Sequence, residues 1–196
     1  MKIRTITTGF NATSRITGSG LQRAAEATLE LKRIYEKKGY VVQTVRIATQ
    51  PWQKYCPDPA ELAGKAVEME AALLACGIDF FSIGTTTRAD RVPVLYDVIK
   101  RTKTGFCTVL AAAGGSMDLD CVRQAARLIK RLARLNGDGF SNLRFAACFN
   151  TRAGTPFFPA AYHRGSAAFA LGLENSDLVY QAFSEAGSYE KAADAL

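Results

Sequence analysis

One pattern recurs along this chain: a helix with an apolar stripe, then a glycine, then a short apolar strand that ends in small polar residues. The glycine is suited to end each helix, because it adopts the left-handed backbone conformation at low cost. Strands connected by helices in this way pair in parallel, since the helix carries the chain back to the starting edge. The repeated unit therefore predicts an α/β fold with a parallel sheet and crossover helices.

Hydrophobic periodicity indicates where the strands and helices lie. Five strands are predicted, at residues 3–8, 40–48, 79–84, 106–112 and 143–149. Helices are predicted over 20–38, between Pro59 and Gly77, over 91–102 and 118–135, near 166–172, over 176–186 and from Ser188 onward. No flexible linker or low-complexity segment divides the chain, so we expect a single α/β domain over residues 1–196.

Composition excludes several classes of protein. No apolar run approaches the ~20 residues needed to cross a bilayer, and the N-terminus lacks the apolar segment of a signal peptide. We therefore expect a cytoplasmic protein without a membrane partner. The five cysteines show no CxxC pair, which favours reduced, buried thiols over a disulfide framework or a zinc site. Cys56, in a loop, is expected to be the most accessible.

The formal charge of +7 is compatible with a nucleic acid or a smaller anion as the partner. Five cationic side chains form one stripe on the helix predicted over 118–135: Arg123, Arg127, Lys130, Arg131 and Arg134. No nucleic-acid-binding module or aromatic stacking motif accompanies the stripe. We therefore favour a solvated helix face over a nucleic-acid site as the interpretation of the stripe, and a nucleic-acid role stays the third hypothesis after the two given below.

Small polar residues lie at the ends of four of the predicted strands. They are Thr7 and Thr8 with Asn11; Thr85, Thr86, Thr87 and Arg88; Gly114, Gly115 and Ser116; and Asn150, Thr151 and Arg152. Because parallel strands end at the same edge of a sheet, we expect these groups to converge there. Hydroxyl, amide and guanidinium groups suit a polar or anionic ligand, and glycines let backbone N–H groups at a helix start approach it. The alternative is that the threonines and serines only cap helices and turns.

The connection after the fifth strand contains His163, the only histidine of the chain. An imidazole titrates near pH ~6.5, so His163 is the candidate for a general acid or base. A satisfied hydrogen-bonding histidine is the alternative. One histidine without a neighbouring carboxylate pattern predicts no metal site, and Gly114-Gly115-Ser116 lacks the lysine and spacing of a P-loop. The residues therefore indicate no particular cofactor.

Three segments of the chain carry a family resemblance: residues 1–7 (MKIRTIT), 42–49 (VQTVRIAT) and, most specifically, 154–162 (GTPFFPAAY). They resemble an uncharacterised bacterial and archaeal family, a domain of unknown function often labelled "PFL family protein". The label implies a fold like pyruvate formate-lyase and other glycyl radical enzymes, a ten-stranded barrel of two five-stranded parallel half-sheets. This chain would supply the N-terminal half, ending in an incomplete helix. It has no adjacent cysteine pair and no Arg-Val-x-Gly segment, so radical chemistry is not implied.

Two functions follow as hypotheses. In the first, the protein binds a small polar or anionic metabolite at the polar strand edge, with or without catalysis. In the second, it is a noncatalytic assembly subunit that completes a barrel, either as a homo-oligomer or with a complementary half-barrel chain.

Overall fold

The computed structural model describes residues 2–194, which form one eight-stranded sheet with helices. The strands are β1 (Lys2–Phe10), β2 (Val41–Val42), β3 (Val45–Thr49), β4 (Phe80–Thr86), β5 (Gly105–Ala113), β6 (Ser116–Met117), β7 (Phe145–Phe149) and β8 (Ala168–Glu174). The helices are α1 (Ser19–Lys37), α2 (Leu62–Ala75), α3 (Leu95–Arg101), α4 (Leu119–Leu132), α5 (Phe140–Leu143), α6 (Ser176–Glu185) and α7 (Tyr189–Asp194). Met1 of the N-terminal resemblance, and the last two residues of the helix predicted from Ser188, lie outside the described residues.

Five parallel strands form the body of the sheet, in the order β1, β3, β4, β5, β7. β2 lies on the same side of β1 as β3, so the predicted second strand is present in two pieces. Each crossover leads to the next strand in the same direction. Right-handed crossovers in such a series place their helices on one face. The result is a mixed α/β fold whose sheet curls as an open half-barrel.

Antiparallel strands extend this sheet, so the prediction of a purely parallel, five-stranded sheet is corrected. β8 runs antiparallel along β1, from the pair Gly9 and Ala168 to the pair Lys2 and Glu174, and β6 pairs antiparallel with the end of β5. The helix predicted near 166–172 is wrong, because most of this segment is β8. Its sequence, AFALGLE, alternates small and large residues with the period of two that a strand requires.

The helices cover one face of the sheet and enclose the main hydrophobic core. Side chains from alternate strand positions are fully buried there, among them Ile6, Ile47, Phe81, Ile83 and Val109. On α4 the buried residues are Cys121, Ala125, Leu128 and Leu132, so the predicted apolar stripe faces the core. No helix among the described residues has both the length and the apolar character needed to cross a membrane.

All five cysteines are free thiols, and their burial corrects one expectation. Cys56 is completely buried, and its Sγ lies 3.1 Å from the carbonyl oxygen of Asp58. Trp52 and Tyr55, both buried, carry this loop into the core. Cys76, rather than Cys56, is the most exposed of the five.

The connection between β7 and β8, residues 150–167 and here termed the β7–β8 loop, crosses the face that the helices leave open. It begins at the C-terminal end of β7 and reaches β8 beside Gly9, near the C-terminal end of β1. Both ends of the loop thus lie at the same edge of the sheet. A strand that starts at that edge must run against its parallel neighbours, which explains the direction of β8.

Gly84, in β4, provides a test of how closely the chain packs at the strand ends. Its φ is +79°, and a Cβ atom built on it would lie 2.2 Å from the carbonyl oxygen of Gln50. We expect Gly84→Ala to lower the free energy of unfolding by at least about 2 kcal/mol, because the clash adds to the roughly 1–2 kcal/mol cost of a left-handed L residue. Urea denaturation measures this difference.

Gly64→Ala is the matched control. Gly64 lies inside α2, and nothing stands within 4 Å of a Cβ atom built there. Alanine is a better helix former than glycine by about 1 kcal/mol, so this variant is expected to be slightly more stable than the original protein. Equal stabilities of the two variants would contradict the packing described for Gly84.

Candidate functional site

Hydroxyl groups on three strands hold the β7–β8 loop against the sheet. Each hydroxyl donates a hydrogen bond to a loop carbonyl: Thr7 to Pro156 at 2.8 Å, Ser82 to Ala161 at 2.7 Å, and Thr108 to Pro159. The backbone N–H of His163 donates to the carbonyl of Thr49 at the end of β3, at 2.9 Å. Four adjacent strands therefore each hold one point of the loop. These bonds satisfy backbone groups that would otherwise be buried without partners.

Phe158 packs the middle of the loop against the same face. Its ring lies 5.1 Å from the ring of Phe106, and the guanidinium of Arg46 lies 5.2 Å from its centroid. Arg46 also lies 5.6 Å from the ring of Phe80. Burial lowers the pKa of Arg46, and cation–π contacts of this kind contribute about 0.5–2 kcal/mol each. The Pro-Phe-Phe-Pro segment therefore attaches the loop to the sheet.

A cavity of about 650 Å³ opens where the loop leaves β7. Five of the residues predicted to bind a ligand line it: Gly114, Gly115, Asn150, Thr151 and Arg152. The rest of its wall comes from Leu110, Ala153, Tyr162 and Arg164. Two arginines thus line one cavity, and no aspartate or glutamate is part of its lining.

Asn150 shapes the entrance of the loop through its backbone. Its φ is +54°, and it is the one non-glycine among residues 2–194 with a positive φ. Asparagine tolerates this left-handed conformation better than most residues do. The Asn150 N–H donates to the carbonyl of Ala112 at 2.9 Å, which ties the turn to β5.

Tyr162 joins the two ends of the loop. Its hydroxyl donates to the carbonyl of Thr151 at 3.0 Å, and its own carbonyl accepts a hydrogen bond from the N–H of Gly154 at 2.9 Å. Arg152 and Arg164 are therefore brought to the same cavity although they lie at opposite ends of the loop. Neither of them forms an ion pair with a described residue.

Gly114 and Gly115 contribute a hairpin turn to the cavity and not the start of a helix. Their φ angles of +61° and +81° are those of a two-residue type I′ turn, which connects β5 and β6, and Ser116 belongs to β6. Helix α4 begins only at Leu119. The carboxylate of Asp118 accepts hydrogen bonds from two backbone N–H groups there, each at 2.9 Å. The N-terminus of α4 is thus already capped by a negative charge.

The polar residues at the end of β4 and just after it lie outside the cavity lining. The Thr85 hydroxyl donates to the carbonyl oxygens of Thr86 and Thr108, each at 3.3 Å, and the side chain of Gln53 donates to the Thr86 hydroxyl. Both threonines are buried. Thr87 and Arg88 are exposed, and the Arg88 guanidinium pairs with Asp90 at 2.9 Å. The structure therefore brings together only part of the residue set predicted from the sequence.

His163 also lies outside the lining of the large cavity, packed against β1. Its side chain is only 4% exposed, and Nε2 lies 3.1 Å from the carbonyl oxygen of Gly165. A Cβ atom built on Gly9 would lie 2.3 Å from Nδ1, so the imidazole occupies the space left by the missing side chain. Burial lowers the pKa of His163, which keeps the ring neutral near pH 7.

Sequence reasoning missed four residues of the cavity lining: Leu110, Ala153, Tyr162 and Arg164. Tyr162 and Arg164 flank His163 in the sequence, but no local sequence pattern shows that the loop returns to its own start. It also missed a second cavity of about 530 Å³ at the start of α1, where Arg15 and Arg23 are part of the lining. Helix α1 has no side-chain hydrogen bond at its N-cap and no acidic residue in its first turn. The run Gly18-Ser19-Gly20 at its start is the sequence feature that could have indicated this cavity.

None of the described residues form a group of three or more histidine, cysteine or carboxylate side chains placed to hold a metal ion.

Two comparisons bear on the family of this chain. A family model described as "Uncharacterised ACR (DUF711)" matches residues 1–195. No curated protein matches the chain. The model confirms the resemblance to an uncharacterised domain of unknown function, and its description names no substrate, reaction or cofactor.

Burial of His163 predicts a pH dependence of stability. Because its pKa is lower in the folded protein, the unfolded chain binds the proton more readily. The contribution of His163 to the free energy of unfolding should therefore be fully present above the ordinary histidine pKa of ~6.5. It should be lost as the pH decreases toward the pKa of His163 in the folded protein. Urea denaturation at several pH values measures this slope.

The His163→Asn variant should lose this slope above the range in which carboxylates titrate. The chain has one histidine, so no other imidazole can account for the difference. NMR titration of the single imidazole gives its pKa directly. A value at or above ~6.5 would contradict the buried position described here.

Proposed function

The chain belongs to the DUF711 family, whose description names no activity, and we propose from the geometry of its cavity that the protein binds a small organic anion. The observation that carries this proposal is the lining itself. Arg152 and Arg164 line one cavity, and no carboxylate of the lining neutralises them. A guanidinium offers two parallel N–H donors, which match a carboxylate or phosphate group.

The size and position of the cavity support a metabolite-sized ligand. Small-molecule sites typically enclose about 300–1,000 Å³, and the value of about 650 Å³ lies within that range. The cavity also lies at the C-terminal edge of the parallel strands, where α/β proteins commonly bind ligands. We assign direct contacts to Asn150, Thr151, Arg152, Arg164 and the backbone of the Gly114–Gly115 turn.

The other predicted residues receive no ligand contact in this proposal. The hydroxyls of Thr85 and Thr86 form hydrogen bonds within the protein, and Thr87, Arg88 and Ser116 are not part of the cavity lining. We assign none of these five residues a contact with the ligand. We propose that His163 positions the β7–β8 loop and is not a proton shuttle, because its ring is buried against Gly9. The proposal is binding alone, and it assigns no reaction.

Thermal unfolding with a panel of organic anions tests the proposal. A binding anion at a hundredfold excess over Kd should raise the Tm by roughly 5–10 °C, because ligands that bind only the folded state stabilise it by mass action. Arg152→Ala should remove most of this shift while leaving the Tm of the free protein nearly unchanged, since Arg152 is exposed and forms no described ion pair.

Arg123→Ala is the matched control, because it removes the same charge from an exposed position on α4. This variant should keep the full ligand-induced shift. An equal loss of the shift in both variants would indicate nonspecific charge attraction, and the absence of any shift across the panel in the unchanged protein would reject the proposal.

A second candidate function, assembly, is favoured by the free edge of the sheet at β7. β7 pairs only with β5 among the described strands, so its other edge has unpaired backbone groups. Large apolar side chains are exposed on β7 and on the neighbouring α4 and α5: Leu119, Ile129, Phe140, Leu143 and Phe149. An unpaired strand beside exposed apolar side chains favours association. We propose that a second copy or a complementary half-barrel chain pairs here, in keeping with the resemblance to two-half barrels.

Sedimentation velocity at micromolar concentration tests this assembly. We expect a species larger than the monomer, and we expect the double variant Leu143→Lys, Phe149→Lys to be monomeric, because two charges would enter the buried surface. Leu74→Lys is the control, since Leu74 is comparably exposed on α2, away from β7. A monomeric unchanged protein would remove self-association, and co-expression with a second half-barrel chain would then test the remaining partner.

A further inference from the structure

The two arginines of the cavity lie on opposite sides of the contact that closes the β7–β8 loop. Arg152 lies two residues after the turn at Asn150, and Arg164 lies two residues after Tyr162. Tyr162 bonds to Thr151 and Gly154, so the loop is closed at its base between the two arginines. The backbone positions from which both side chains extend are therefore set before a ligand arrives. Such preorganisation reduces the entropy lost on binding.

A ligand with one negative charge would leave part of this site without a partner. The lining supplies two cations and no carboxylate, and neither cation has an ion-pair partner among residues 2–194. A single carboxylate forms a bidentate pair with one guanidinium. The other guanidinium then has no anionic partner, and its positive charge repels the first guanidinium. Two anionic groups on the ligand would pair with both.

The rest of the wall is suited to carbon atoms. Leu110, Ala153 and Tyr162 contribute apolar surface to the lining, together with the side-chain-free Gly114–Gly115 turn. The cavity volume of about 650 Å³ is also about twenty times the ~30 Å³ that a water molecule occupies in the liquid. The cavity therefore has room for a ligand larger than an inorganic anion. The lining therefore combines two positive positions with an apolar surface.

We infer that the ligand is a short carbon chain with two separate anionic groups, here termed an organic dianion for its two groups, whether the second group is a carboxylate or the more highly charged phosphate. Arg152 binds one anionic group and Arg164 binds the other. The shared chemistry covers a dicarboxylate and a phosphorylated carboxylate. This inference rests on the proposed anion-binding function and narrows its ligand class.

Isothermal titration calorimetry at constant ionic strength tests the inference with four probes: succinate, phosphoglycolate, butyrate and inorganic phosphate. We expect at least one of the two organic dianions to bind about tenfold or more tightly than butyrate, because its second anionic group forms charge-assisted hydrogen bonds that butyrate cannot form. The comparison between succinate and phosphoglycolate identifies whether the second group is a carboxylate or a phosphate. Equal affinities for the organic dianions and butyrate overturn the inference but leave anion binding intact.

Two further outcomes are decisive. If inorganic phosphate binds as tightly as the better organic dianion, the carbon chain contributes nothing and the inference is wrong. If none of the four probes binds, both this inference and the proposed function are rejected for these classes of anion.

The variants Arg152→Gln and Arg164→Gln separate the two positions. Each should reduce the advantage of the better dianion over butyrate to less than about threefold, because only one guanidinium remains. Arg123→Gln should preserve the tenfold advantage and controls for net charge. Retention of the advantage in either cavity variant would show that the two arginines do not bind separate groups.

Discussion

The rest of this structure depends on one constraint: the helices cover only one face of the sheet, and the other face needs a different cover. Because the parallel strands follow one another in a single direction, their crossover helices all cover the same side. The opposite face still carries strand side chains and must be covered by another part of the chain. The β7–β8 loop covers it, and its carbonyl groups find donors in the hydroxyls of Thr7, Ser82 and Thr108. Hydroxyl residues on alternate strand positions thus replace the apolar contacts that a second helical layer would make.

The cavity is a consequence of how this loop begins and ends. The left-handed turn at Asn150 directs the chain away from β7, and Tyr162 bonds back to the start of the loop. Arg152 and Arg164 reach one cavity because the loop closes in this way. The buried imidazole of His163 against Gly9 holds the far end of the loop beside β1, where β8 begins. Structural residues and proposed ligand contacts therefore alternate within a single segment.

Local patterns predicted most of the architecture and part of the site. The five parallel strands, helices α1 to α4 and helix α6 lie close to where periodicity and glycine placement indicate. The segment of β8 resembles a helix when read locally, because Ala168 and Ala170 are strong helix formers and alanine is depleted in strands. Asn150, Thr151 and Arg152 were recognised from their place after a strand. Thr85 and Thr86 have the same kind of place, yet both are buried in hydrogen bonds within the protein.

The amino-acid sequence alone determined the alternation of helices and strands, the parallel pairing and the position of the polar strand ends. These properties depend on spacings of 3.6 and 2 residues and on glycine stops, all of which are local. Only the tertiary structure decided the antiparallel direction of β8, the burial of His163 and the presence of Arg152 and Arg164 in one cavity lining. Each of these depends on contacts between distant parts of the chain, such as the bond between Thr7 and Pro156 across 149 positions. No local pattern specifies such a contact, because its partners become neighbours only when the loop lies on the folded sheet.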